Sequence, residues 1–467
     1  MAVRLIRPGT TLSGMDRRRV APRRVATAIA LTVLAVTTAP PAAGRAAPPP
    51  AAAPSAGRPA AAAPPYVPCP IVPPAAPVPA RPSPPPHDPT APVFGGEGLA
   101  TTGLTVPPGA APPPANLSAT SWLVAELDTG AVLGACAPHA GSPPASVQKL
   151  LLAQTLLPRL NPAQVVEVVQ ADLDFERGSS AVGLLVGGHY PVETLWLGLL
   201  LESGNDAANV LARVGGGPAG VPGTIEAMNA EARRLGADDT HAVTPSGLDG
   251  PGQFTSAYDL ALIARADFAR PDFRRYTATP RAQIPPQPPK DPRGFQIQNE
   301  NRLLANYPGA IGGKTGFTDL ARHTYVGAAE RAGRRLVVTL LGAEARPVPG
   351  WQQGAALLDW GFALPAGAAV GQLVTPEEVD RLRHPPAPSN APTGVALAGT
   401  TGAARGWSPT LLDAIGIGVI VTVVPLLLIA TASRRRRARR ASRRPVPRAT
   451  RANPPSARRK PPPQRRR

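Results

Sequence analysis

Lysine is nearly missing from a chain that carries 49 basic residues: four are lysine (Lys149, Lys290, Lys314 and Lys460) and 45 are arginine. A surface charge can be either residue, and a coding bias toward arginine accounts for most of the preference. A site that needs a titratable amine excludes arginine, because a guanidinium stays protonated at any working pH. Acidic residues are missing from the ends. Residues 434–467 hold 16 basic and no acidic side chains, and residues 1–45 hold eight arginines against one aspartate. The remaining 25 basic and 29 acidic residues leave the middle with a net charge of about −4, so the overall +19 belongs to the termini. That argues against a nucleic-acid-binding body, which would need its own basic face with stacking aromatics.

Long apolar runs are also few. Residues 26–39 (ATAIALTVLAVTTA) follow RRRVAPRR and precede small residues, the order of a secretory signal, with cleavage expected near Ala43 to Ala47. The signal reads more normally from Met15 than from Met1. Residues 414–432 (AIGIGVIVTVVPLLLIATA) form 19 uncharged positions, enough at about 1.5 Å each to cross roughly 28 Å of hydrocarbon. SRRRRARR follows directly, and the positive-inside rule then puts the tail in the cytoplasm and everything between signal and anchor outside. The expectation is a cell-membrane protein with a single C-terminal anchor and an extracytoplasmic body. Only Cys69 and Cys136 are present; an even count in an exported chain permits a disulfide, and two buried free thiols are the alternative.

Large apolar groups are scarce from 40 to 116, where Ala and Pro dominate and favour extended conformations, which reads as a stalk. The composition changes near Asn116. SWLVAELDTGAVLGA and TYVGAAERAGRRLVVTLLGAE each read as a β-hairpin. Between them SVQKLLLAQTLL, VETLWLGLLLES, NDAANVLARV, TIEAMNAEARRLG and AYDLALIARADF show helical spacing, and GWQQGAALLDWGF closes the unit. The pattern predicts an α+β domain whose first and last strands are neighbours in one antiparallel sheet covered by helices. The expected organisation is a signal over 1–47, a stalk over 48–116, a catalytic domain over 117–364, a linker over 365–410, a membrane helix over 411–432 and a basic tail over 433–467.

Three short motifs carry chemistry: Ser146-Val-Gln-Lys149, Ser203-Gly204-Asn205 and Lys314-Thr315-Gly316. Residues three apart share a helix face, so the Lys149 amine is within reach of the Ser146 hydroxyl. A serine is a poor nucleophile until a neighbouring base takes its proton, and a lysine is such a base once burial and another cation lower its pKa. Lys314 is a candidate for that cation. Taken alone, Ser203-Gly204-Asn205 is an ordinary helix cap and Lys314-Thr315-Gly316 a turn near a strand end. In order, with two of the four lysines in motif positions, the three are specific.

This pattern resembles the penicilloyl serine transferases, the penicillin-binding proteins and class A β-lactamases. Within them ASVQKLLLAQTLL, LGLLLESGNDAANVLA, HAVTPSGLDGPGQFTSAYDLALIAR and GAIGGKTGFTDLARHTYVGAAERAGRRLVVTLLG look like the low-molecular-mass D-alanyl-D-alanine carboxypeptidases. The resemblance implies the β-lactamase/transpeptidase-like fold, peptidoglycan stem peptides ending in D-Ala-D-Ala as substrates, β-lactams as inhibitors and no cofactor. It implies Ser146 as acylated nucleophile, Lys149 as its base, Ser203 and Asn205 as proton relay and amide positioner, and Lys314, Thr315 and Gly316 as substrate-binding. The backbone N–H groups of Ser146 and Phe317 would form the oxyanion hole.

Three departures accompany it. Where many members of that family carry a β-rich domain after the catalytic one, a linker and a transmembrane span are expected here. Ala321-Arg322 replaces the usual Ala-Gly pair. The Glu-x-x-Leu-Asn pattern with which class A β-lactamases hydrolyse their acyl-enzyme is missing between Asn205 and Lys314, which disfavours a β-lactamase. DD-endopeptidase action on cross-bridges uses the same machinery, and a wall-bound scaffold with a dead site is disfavoured because Ser146, Lys149 and Lys314 are intact. His139, His241 and His323 are too scattered to suggest metal ligation. The acidic pair Asp172 and Asp174 is read as solvated.

Overall fold

The structure is a computed structural model that describes residues 66–74, 77–84 and 93–384. Three strands open the body: β1 (Leu104–Thr105), β2 (Ser121–Glu126) and β3 (Ala131–Cys136). Then come α1 (Lys149–Leu156), the ribbon strands β4 (Val165–Glu167) and β5 (His189–Pro191), and α2 (Val192–Leu201), α3 (Asn205–Gly215) and α4 (Gly220–Leu235). After an irregular crossing follow α5 (Ala257–Ala269), capped by the Ser256 hydroxyl, and α6 (Pro271–Thr277), with proline at its first position. A second ribbon, β6 (Arg281–Ile284) and β7 (Phe295–Gln298), and the single turn α7 (Leu303–Asn306) lead to β8 (Ala310–Thr318), β9 (Arg322–Arg331) and β10 (Arg334–Ala343). Finally α8 (Gly350–Ala363), β11 (Gly371–Gln372) and α9 (Pro376–Arg383) close the body.

The main sheet runs β1-β3-β2-β10-β9-β8, antiparallel throughout, with β11 also pairing β3. Both expected hairpins form, and β2 lies beside β10, so the first and last long segments are neighbours as the pattern requires. Strand alternation sends Leu123, Ala125, Val326 and Val337 into a core beneath α1 to α5. Trp122, Val124, Tyr325 and Val338 go to a second core beneath α8. There Trp360 meets Trp122 edge to face at 6.1 Å, and its ring lies 2.5 Å from where a Cβ on Gly134 would sit, so only glycine fits.

The stalk boundary at 116 needs correction. Phe94 and Leu99 are buried in the main core, and Cys69 forms a disulfide with Cys136 on β3. Backbone bonds join Val72 to Leu117 and Leu104 to Val67, and the Trp360 indole donates to the Ala111 carbonyl. A segment too poor in apolar groups for its own core thus lies along an existing one, using its few non-proline residues for backbone pairing. The linker boundary moves as well: Gly371–Gln372 joins the sheet, and α9 buries Val379 against the main core. Asp172 is buried rather than solvated, held by Arg213 at 2.8 Å through both oxygens, because α3 brings that arginine back over it; Asp174 is exposed. The signal run, the apolar span 414–432 and the basic tail lie outside the described residues. Among the described residues no helix is long and apolar enough to cross a membrane.

Candidate active site

Ser146 sits in a 3-10 turn, Ala145–Gln148, and α1 begins only at Lys149. The nucleophile therefore precedes the regular helix by one tight turn, where a helix beginning at Ser146 was expected. The Lys149 side chain is fully buried, and its Nζ lies 2.8 Å from Ser146 Oγ, 2.8 Å from Asn205 Oδ1 and 2.9 Å from the Ser246 carbonyl. Asn205 is held in that orientation because its Nδ2 donates to Ser179 Oγ at 3.0 Å. The amide oxygen and the carbonyl can only accept. A neutral Lys149 therefore spends both N–H groups on them and directs its lone pair at the Ser146 hydroxyl, the arrangement of a general base. Burial, then the charge of Lys314, push Lys149 well below the ordinary lysine value.

Strand β8 forms the facing wall. Lys314 is also almost wholly buried; burial lowers it to about 8 and Glu300 opposes that shift. Its Nζ donates to the Thr315 carbonyl at 2.8 Å. Just before it, Thr277 at the end of α6 exchanges two 3.0 Å hydrogen bonds with the Gly313 backbone, fixing the strand. A Cβ on Gly316 would lie 2.8 Å from Ser146 N and 2.4 Å from Thr324 Oγ1, so glycine is what lets β8 reach the nucleophile. Ser203 has φ 61°, a strained value for a non-glycine residue, and its buried hydroxyl has no hydrogen-bond partner among the described residues. The helix-cap reading of this motif fails, since Gly204 occupies the cap of α3 without a side-chain bond and Asn205 serves Lys149 instead.

A cleft of about 310 Å³ opens between these walls, lined by Ser146, Ser203, Asn205, Thr315, Gly316 and Phe317. All eight expected site residues are thus brought together, with Lys149 and Lys314 beneath the lining. Sequence reading missed several neighbours: Ser179, Gly247, Glu300, Thr318 and His323 also line the cleft. Ser246 offers only a carbonyl, for which no side-chain signal exists. Its loop is pinned by Gln253 Oε1, which accepts from Val243 N, Thr244 N and Gln148 Nε2. His323, expected to be an ordinary histidine, stacks on Phe317 at 4.7 Å. Arg322 is committed to a paired bond with Glu344 at 3.0 and 2.9 Å, with its guanidinium 5.4 Å over the Phe317 ring, so Glu344 neutralises its charge at the cleft rim.

Comparison with known proteins decides what such a cleft belongs to. Residues 108–345 match the model of the D-alanyl-D-alanine carboxypeptidases. The chain belongs to this family. D-alanyl-D-alanine carboxypeptidase DacB2 of Mycobacterium tuberculosis is 47% identical over 272 residues, covering 57% of this chain and 90% of that protein. The crystal structure of a D-alanyl-D-alanine carboxypeptidase from the same organism superposes with a TM-score of 0.54 at 45% identity, over 57% of this chain and 99% of that one. The Streptomyces K15 DD-transpeptidase gives 0.52 at 28% identity, over 54% of this chain and all of its own. As a carboxypeptidase of this family the chain is a hydrolase.

Proposed function

We propose that the chain is a serine-type D-Ala-D-Ala carboxypeptidase that removes the terminal D-Ala of peptidoglycan stem peptides through an acyl-enzyme on Ser146. The observation that carries this is the buried Lys149 amine, held by two acceptor-only partners with its third contact on the Ser146 hydroxyl. Lys149 takes the hydroxyl proton, and Ser146 Oγ attacks the carbonyl of the penultimate D-Ala. The N–H groups of Ser146 and Phe317 receive the developing oxyanion. Ser203 passes a proton to the leaving amine, Asn205 positions the substrate amide, and Lys314 with Thr315 and Gly316 holds the terminal carboxylate. Water then hydrolyses the ester. A β-lactam acylates Ser146 in the same way.

The likeness to a protein named a DD-transpeptidase favours a second reading in which the same acyl-enzyme meets an amine, or in which the leaving group is a cross-linked neighbour. Incubating the protein with a D-Ala-D-Ala pentapeptide and with a cross-linked dimer separates these readings. D-Ala released from the pentapeptide, lost in Ser146→Ala, supports the carboxypeptidase; cleavage confined to the dimer replaces it with an endopeptidase. The signal-like run and the apolar span before a basic tail support an extracytoplasmic body on a C-terminal anchor. Protease added outside whole cells should then remove the body and leave the tail.

A further inference from the structure

Glu300 is the acidic residue among those lining the cleft, and neither of its carboxylate oxygens makes a hydrogen bond or close ion pair among the described residues. The turn that carries it is fixed on every side. Glu300 N donates to the Leu201 carbonyl at 3.0 Å, two residues before Ser203. Asn299 donates to the Thr277 and Thr279 carbonyls, and Asn301 accepts from the Tyr325 hydroxyl at 2.9 Å. Asn301 Nδ2 also lies 3.0 Å from where a Cβ on Gly313 would sit, next to Lys314. The carboxylate therefore stands on the wall between Ser203 and the Lys314 strand.

Two buried lysines share this site, and counter-charges are scarce. Asp206 acts on Lys149, but its oxygens are committed to the backbone N–H groups of Val182, Gly183 and Leu184. On β9, Arg322 is bound to Glu344, and His323 offers no negative charge. Glu202, at the end of α2, acts on Glu300 and accepts from Gln298 N.

We propose that Glu300 is a positioning residue for acyl transfer: its carboxylate is the counter-charge that keeps Lys314 cationic beside Lys149. The proposal rests on the reading of Lys314 as the anchor for the substrate carboxylate. Glu300 is the group that raises Lys314 against its burial, and it raises Lys149 as well. The Glu300 side chain is exposed at the cleft wall, where partial desolvation raises its carboxyl and Lys314 pulls it down. Losing it removes a proton from Lys314 at lower pH, and with that proton the charge that meets the substrate carboxylate.

The test compares wild type, Glu300→Gln and Glu300→Asp in penicillin acylation and D-Ala release from a pentapeptide between about pH 6 and 10, the span in which buried lysines titrate. Glu300→Gln should move the alkaline limb of kcat/KM toward acid by on the order of one pH unit. Near pH 8.5 that is a loss of roughly tenfold, mostly in KM. Near pH 6.5 it should stay close to wild type, and Glu300→Asp should recover part of the shift. An unshifted limb, a loss equal at every pH or tighter binding at every pH would overturn the proposal. So would an acyl-enzyme that accumulates with the limb in place, which would assign Glu300 to deacylation. Penicillin labelling near pH 6.5 keeps the two readings apart: a labelled Glu300→Gln with an unshifted limb removes Glu300 alone, whereas wild type without Ser146-dependent label removes the site reading itself.

Discussion

Lys149 on α1 and Lys314 on β8 are both almost wholly inaccessible, yet their surroundings differ in number and kind of partner. Lys149 meets two acceptor-only groups and a hydroxyl, which fill the hydrogen-bonding capacity of a neutral amine. Among the described residues Lys314 makes a single bond, to the carbonyl of the next residue, and has a carboxylate nearby on the cleft wall. Burial alone discourages charge on both. What separates base from fixed cation is what else the fold places around the nitrogen.

The sharpest way to break this comparison is to exchange each lysine for the residue the chain otherwise prefers. Lys149→Arg keeps the charge but removes the basicity, and acylation should fall by about 10³- to 10⁴-fold. Lys314→Arg should fall on the order of 100-fold through misplaced geometry, with Lys314→Ala losing more. Penicillin acylation rates on folded variants check both, and equal losses would erase the distinction. Gly316→Ala drives a methyl against Ser146 N and should cost on the order of 100-fold in acylation while the melting temperature changes little.

A smaller effect is on stability. Lys314 titrates at about 8 when folded against an ordinary 10.5. Between those values the unfolded chain binds more protons, so the penalty for burying Lys314 is full below pH 8 and is recovered as pH rises toward 10.5. The stability gained by Lys314→Met should therefore shrink between about pH 8 and 10.5 in urea unfolding, the interval between the folded and unfolded titrations. Removing the Cys69–Cys136 bond, on β3, four strands across the sheet from β8, should cost about 2–4 kcal/mol in stability and leave acylation of the folded protein unchanged.

The motif residues were legible because each signature is local. Ser146 and Lys149 are one helical turn apart, and hairpins and helices announce themselves by period. What escaped depends on contacts distant along the chain. Ser246 contributes a backbone carbonyl, Glu300 reaches the cleft through a turn held by Asn299 and Asn301, and Asp172 meets an arginine 41 residues away. The proline-rich segment was misread because composition reports whether a stretch can build its own core. It does not report whether the stretch can lie along another, as Phe94, Leu99 and Cys69 do.

The scarcity of lysine makes the central claim directly measurable. With four lysines in the chain, the side-chain amine spectrum of a ¹⁵N-lysine-labelled protein holds four resonances, each assignable by a single Lys→Arg variant. The account predicts that in the folded protein Lys149 loses its proton well below the ordinary lysine range, while Lys314 titrates at about 8. A Lys149 resonance that stays an ammonium up to the ordinary lysine range would contradict it and remove Lys149 as the base for Ser146.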